Sequence, residues 1–573
     1  MKKILYTFLI SALPAVSSCS FLEREPNVVV AETYYNNEED AVNALNAVYG
    51  VLNCREIYGE YYSMCFSLND DLSYRYGNSS NDEDNYTHNA SNPRIYEMWY
   101  TFYQGINVAN NFLEAMEVYP DFDNDGTKRA QARFLRAFYH YLLAQTWGDV
   151  PLVEESCKSY KQTLVAKTPQ KDVLAWSIEE MQKALEAYPY DVEGAPARLS
   201  GDAMRGIIAR ASLFAAGVTV NFSDEQKYSY LVLADRMCQE IISSGRHTLN
   251  PDYTDIFKRM IGNVYDTDYR DSIWEVDFYG DRAEQGYTNG FIGCNNGLYS
   301  STNETLSDED YVCNFAYGRY CNSMLLWDMY MTDDRTKDEK GLSYVTDLRQ
   351  EWNVPPYNYI GRSATQKPLC YPYGGNPNDL RELRGCIDKT PYVIGQQTTN
   401  SNPLVHPAGR YFGTFRREVQ YEGVHGHTVA TAINYPLLRY SDVLLMYAET
   451  QNELNGGPTR AGYDAVKLVR DRAGIGTNDL SSYNKDTFLA FLQNERGREL
   501  PFESLRKYDL IRWGIFLKRM QASGDTTNDL RWDSYRASFV STITRNVRQK
   551  HIVLPIPSIE LGVNKLLKQN PMW

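Results

Sequence analysis

The chain is 573 residues long with 43% hydrophobic and 23% charged residues, close to the globular average. That excludes collagen-like, low-complexity and disordered chains and leaves ample apolar material for a large core. Its 58 Lys and Arg against 73 Asp and Glu give a net charge of -15, so nucleic acid, which is bound through local basic excess, is not an expected partner, and a bare anionic membrane surface is disfavoured likewise.

The chain opens on Met1-Lys2-Lys3 and an apolar run from Ile4 to Val16, interrupted by Pro14. A basic start with a short apolar segment reads as a secretion signal, because a membrane-spanning helix needs about 20 apolar residues. The run closes on Val16-Ser17-Ser18-Cys19, which resembles a bacterial lipobox. Residues 1–18 are therefore expected to be a lipoprotein signal peptide, with Cys19 the lipidated residue. Several acyl chains would anchor it stably, at about 0.8 kcal/mol per buried methylene. The other nine cysteines are scattered without a CxxC, so neither a disulfide framework nor a zinc motif is indicated.

Helical periodicity begins over 38–52, where Ala41, Leu45, Val48 and Leu52 recur at three- and four-residue spacing. A polar, Tyr- and Asn-rich stretch at 69–93 leads to a helix at 97–118, with Trp99, Tyr103, Ile106 and Ala109 on one face. A third helix at 129–147 is stopped by Gly148-Asp149-Val150-Pro151. Further helical patterns cover 171–187, 201–216 and 227–243. From about 250 to 428 the periodicity fades, Gly, Asn, Pro and Tyr accumulate, and 272–278 is the one clear strand pattern. Helices return at 440–454, 461–472, 485–500 and 502–520. The plan is mainly α: tetratricopeptide-like helix pairs in a single domain, with a large loop-rich insert and a few short strands.

Two polar stripes lie on these helices. Arg129, Arg133, Arg136 and His140 share one face of the third helix, and Arg439, Asp442 and Glu449 make a comparable set later. Solvated faces and a charge network between packed helices both fit. Asp121-Phe-Asp123-Asn-Asp125-Gly126 resembles the start of a calcium-binding loop, but its twelfth position is Ala132 where a bidentate Glu belongs, so an acidic helix cap is the better reading. Of seven histidines only His425 and His427 cluster, in a Gly-rich loop, and a metal site there is not the favoured reading. The common hydrolase, phosphate-loop and dinucleotide motifs are missing, and no cofactor is expected.

Several segments are recognisable together: Arg129-Ala-Gln-Ala-Arg-Phe-Leu-Arg-Ala-Phe-Tyr to Trp147-Gly-Asp-Val-Pro, Tyr435-Pro-Leu-Leu-Arg-Tyr-Ser-Asp, Val469-Arg-Asp-Arg-Ala-Gly, Glu495-Arg-Gly-Arg-Glu, Tyr508-Asp-Leu-Ile-Arg-Trp-Gly and Leu554-Pro-Ile-Pro. In content and order they resemble the SusD/RagB family of surface nutrient-binding lipoproteins. The resemblance implies one domain over 19–573, with an N-terminal part at about 19–230 and a C-terminal part at about 270–573. It implies a non-catalytic protein on the outer membrane, facing outward, that passes a glycan to a TonB-dependent SusC-like transporter. A peptide-binding RagB-like protein of the same fold, a surface glycoside hydrolase and a protein-binding repeat scaffold are the alternatives.

Sugars present flat apolar faces rimmed by hydroxyls, so their sites combine exposed aromatic rings with Arg, Asn and Asp. The 46 Tyr, against 21 Phe, concentrate partly in two loops of that composition. One holds Asn69, Asp70, Asp71, Tyr74, Arg75, Tyr76, Asn78 and Tyr86; the other runs over 279–320 with Tyr287, Asn289, Phe291, Asn295, Asn296, Tyr299, Tyr317 and Arg319. By correspondence with the family's starch binder, Tyr74 or Tyr76 matches a first aromatic platform, and Tyr287 and Tyr317 later ones, with Arg75 and Arg319 beside them. That these tyrosines only pack the loops is the competing reading. Trp99, Trp147 and Trp513 lie within helical patterns and are expected in the core.

Overall fold

The computed structural model describes residues 34–77, 81–191, 195–278, 290–299, 316–331, 347–355, 409–417, 429–529, 532 and 534–573, with the backbone of short strands between 306 and 382. Cys19, Tyr287, Asn78, Asn289, His425 and His427 lie outside the described residues. The longer helices, numbered along the chain, are α1 Glu38–Tyr49, α2 Pro93–Val118, α3 Thr127–Trp147, α4 Gln170–Glu186, α5 Gly201–Ala215, α6 Asp224–Ser244 and α7 Tyr253–Ile261. They continue as α8 Tyr440–Asn455, α9 Arg460–Arg472, α10 Lys485–Glu499, α11 Phe516–Asp525 and α12 Ser534–Asn546. Successive helices pack on one another from α1 through α6, and α8 packs on α6, α9 and α10. The architecture is mainly α, built of tetratricopeptide-like helix pairs with short strands.

Local chemistry sets the helix starts. Asn92 accepts from the Arg94 and Ile95 amides and Pro93 occupies the first turn, so α2 begins four residues before its periodicity shows. Ahead of α3 the acidic turn works as a cap: Asp123 accepts from the Lys128 and Arg129 amides at 2.9 and 3.1 Å, and Asp125 from that of Thr127. Ala132 is fully buried. The 502–520 pattern does not make one helix. Phe502 and Ser504 have positive φ, and Gly514 (φ 73°) turns the chain between Arg506–Arg512 and α11. A Cβ at 514 would stand 2.6 Å from Val218 Cγ2.

The strand at Ser272–Val276 pairs antiparallel with Tyr435–Arg439, and both are buried throughout. The central segment holds more strands than its one clear pattern suggested, among them hairpins Leu306–Asp308/Tyr311–Cys313 and Arg335–Lys337/Ser343–Val345. The hydrophobic core is one contiguous cluster reaching from Ala41 to Leu567. Trp99 and Trp147 are in it; Trp513 is half-buried against it and donates its indole N–H to Glu449. The C-terminal tail closes on α3, where the Leu554 amide donates to Thr146, the Trp147 indole to Pro555, and the Asn570 amide to Trp147. No helix among the described residues is long and apolar enough to cross a membrane.

The polar stripes are mainly buried ion networks. Arg136 donates to Glu180 and Asn110, while Arg133 at the outer edge keeps a looser 3.6 Å contact with Glu180. His140 is buried, donates from Nδ1 to the Arg136 carbonyl and accepts the Val153 amide at Nε2; burial pushes it down to about 3. At the centre, Glu499 is fully buried and receives Arg349, Arg439 and Arg472 at 2.5–3.0 Å. Arg439 also reaches Glu503, and Arg472 reaches Asp271. Next to it Glu495 holds Arg349, Arg470 and Arg498. Asp442 holds Arg210 and Arg496, and Arg496 leads through Asp509 to Arg512 and Glu449.

Burial alone would raise the Glu499 carboxyl, but Arg472, Arg439 and Arg349 hold it down to about 2. Removing it takes the shared anion from three buried guanidinium groups, so Glu499→Ala is expected to destabilise by about 3–5 kcal/mol, read as the shift in a urea unfolding midpoint. Because the folded value lies below the ordinary carboxylate value of about 4.3, this stabilisation is complete above about pH 4.5 and is lost as pH falls toward 2. Urea midpoints between pH 7 and 3 should therefore fall in the lower half of that range for the native protein. Glu499→Gln, which lacks the titrating group, should show a shallower fall.

Candidate ligand-binding face

A three-residue ladder joins the two tyrosine-rich loops. The strand Ser73–Arg75 pairs antiparallel with Tyr320–Asn322, Tyr74 opposite Cys321, and the Tyr76 amide donates to the Arg319 carbonyl at 2.6 Å. The two tyrosines, two residues apart, differ in burial because the strand ends at Arg75, before Tyr76. Tyr74 is 2% exposed and packs against Trp532 at 5.7 Å, so its ring supports the face from beneath instead of presenting to a ligand. Tyr76 is half-buried, packed against the core at one side.

Around Tyr76 the rings form a strip. Tyr299 stacks on Tyr411 with centroids 5.7 Å apart, Tyr411 meets Tyr76 at 6.0 Å, and Tyr76 meets Tyr535 edge-on at 6.1 Å, with Phe539 behind. The ends are open: Tyr299 is 37% and Tyr535 50% exposed, and Tyr317 beside them 38%. The Arg536 guanidinium lies under the strip, 4.3 Å from the Tyr76 ring and 4.8 Å from that of Tyr411, and donates to Cys321 Sγ. Gly318 lets these pieces meet. Its φ is +54°, and a Cβ there would stand 2.9 Å from both the Tyr299 amide nitrogen and the Tyr411 ring.

The other residues of the two loops mostly build the support. Arg75 is locked to Asp84 at 2.5 Å, with its side chain 9% exposed, and does not reach the strip as a free donor. Asp71 is buried between Arg506 and Arg519, which hold it below the usual carboxylate range against the burial that would raise it. Burial, with the neighbouring Asp71 charge, pushes Asp70 up to about 8, and Asp70 accepts the Leu72 and Ser73 amides. Asn69, Tyr86, Asn295 and Asn296 are buried as well. Phe291 is half-buried under Arg55. Arg319 is half-buried with its guanidinium 4.2 Å from the Tyr317 ring.

Of the residues expected from the sequence, Tyr76 and Tyr299 lie in the strip and Tyr317 and Arg319 beside it, whereas Tyr411, Tyr535, Phe539 and Arg536 carried no such expectation. Trp532, Tyr535 and Phe539 recur at helical spacing, a signal that marks an aromatic face without saying what it meets. Among the described residues no group of three or more His, Cys, Asp or Glu is placed to hold a metal ion.

Residues 270–573 match the family model described as "SusD family", and residues 20–213 match one described as "Starch-binding associating with outer membrane". SusD-like protein P25 of Formosa agariphila is 25% identical over 610 residues, covering 99% of this chain and 97% of that protein. A SusD homolog from Bacteroides thetaiotaomicron has a solved structure with a TM-score of 0.78 at 22% identity, covering 95% of this chain and 98% of that one. A laminarin-binding SusD-like protein gives 0.64 at 20% identity, covering 94% of this chain and 100% of that one. The structural likenesses speak for the fold; the family match spans more than half of the sequence, and the chain belongs to the SusD family.

Proposed function

We propose that this protein is a surface lipoprotein, one domain over 19–573, that binds a glycan on the Tyr299–Tyr411–Tyr76–Tyr535 strip. The lipid would sit on Cys19 and hold the domain to the outer membrane. The bound glycan would pass to a TonB-dependent SusC-like transporter, with no chemistry performed on it. The observation that carries this reading is the strip itself: four rings from separate parts of the chain, open at Tyr299 and Tyr535, half-buried at Tyr76 and buried at Tyr411, on a support of buried ion pairs. Open rings edged by a guanidinium match the alternation of apolar faces and hydroxyls on a sugar chain. The description of the matching N-terminal family model and the laminarin-binding neighbour support a carbohydrate as ligand.

Calorimetry of the purified protein against glycan and peptide panels tests the ligand class. Glycan binding is expected, and the double variant Tyr299→Ala/Tyr317→Ala should lower affinity at least about tenfold with thermal unfolding little changed, since both rings are exposed. Unchanged affinity would move the site elsewhere; binding of peptides alone would favour the RagB-like alternative. For the anchor, Cys19→Ala should shift the protein out of the membrane fraction on cell fractionation, whereas retention there would refute lipidation at this residue.

A further inference from the structure

We infer that the glycan this face receives is anionic, its carboxylate or sulfate group taken by Arg319; the inference rests on the function proposed above. Several arginines surround the junction of the two loops. Three have carboxylates of their own: Arg55 pairs with Glu60, Arg75 with Asp84, and Arg94 with Glu83. Arg319 does not. Among the described residues its guanidinium has no carboxylate partner and lies over the Tyr317 ring at 4.2 Å.

The position is built, not incidental. The Arg319 amide donates to the Asn295 carbonyl at 2.8 Å, and its carbonyl receives the Tyr76 amide at 2.6 Å, so the main chain is pinned on both sides. The guanidinium reaches Gly77, where a Cβ would stand 3.8 Å from Nη1. It is thus held between an exposed tyrosine and a residue without a side chain, half out of water, in a protein whose net charge is -15. Half-burying a cation without an anion is unfavourable, and the ring quadrupole offsets this only in part. A carboxylate or sulfate oxygen pair would complete the site with two parallel charge-assisted hydrogen bonds, a geometry that guanidinium supplies and ammonium does not. A neutral hydroxyl would accept one hydrogen bond and leave the charge uncompensated.

The test is an array of neutral, uronate-bearing and sulfated oligosaccharides probed with the purified protein, followed by calorimetry of the best binder at low and high salt. The expected best binder carries uronate or sulfate, and its arm of the array says which anion is read. Its affinity should fall with salt, Arg319→Gln should weaken it at least about tenfold, and Arg319→Lys should restore only part. A neutral best binder, or an anionic one held equally by Arg319→Gln, overturns the inference while leaving the glycan-binding function standing. Salt-independent binding by the native protein overturns it as well, without recourse to any variant. Binding of no glycan at all overturns the function and this inference with it.

Discussion

Glu499 cannot be both ionised and buried unless cations come to it, and the fold answers that demand with three. Arg349 arrives from the central segment, Arg439 from the strand that enters α8, and Arg472 from the end of α9. Each carries a second carboxylate, so the charges form a connected lattice instead of isolated pairs. A second network centred on Asp442 joins Arg210 of α5 to Arg496 of α10, which ties the N-terminal helices to the C-terminal ones. A lattice of this kind contributes less to net stability than its contacts suggest, because desolvation offsets much of the attraction. Its larger effect is on register: a helix displaced by one turn would leave a buried guanidinium facing apolar side chains.

The same logic reaches the ligand face. Asp71 sits two residues before the strand that bears Tyr74, and Arg506 and Arg519 clamp it from the C-terminal helices. Arg75 and Asp84 close the other side of the loop. The tyrosines therefore rest on backbone fixed by charge pairs, and Tyr74 fills the space beneath. Rings positioned in advance lose little entropy when a flexible sugar chain is bound, which favours affinity for a ligand that must itself be ordered.

How much of this could be read from the sequence differs by element. The helices α2 to α6 and α8 to α10 were visible because each has one apolar face and recognisable stops such as Gly148. The break at Gly514 was hidden because glycine is tolerated inside an apolar helical pattern, and the neighbour that leaves no room for a side chain there, Val218, is distant in sequence. Both tyrosine loops were legible as compositions, but their meeting depends on a three-residue ladder too short to leave a periodic signal. Arg75 and Arg319 look alike in sequence, and only the position of Asp84 separates a locked residue from an open one. Tyr411 and Tyr535 lay far from either loop along the chain, so nothing local connected them to the strip.

The central claim is that separate chain segments act together as one rigid receiving surface. Hydrogen–deuterium exchange with and without a saturating glycan addresses it directly. The account predicts that exchange slows together at 74–77, 296–299, 317–322, 409–412 and 534–539, with α8 and α10 unchanged because their lattice is already formed. Slowing confined to one of those segments, or centred on the C-terminal tail at 554–573, would contradict it.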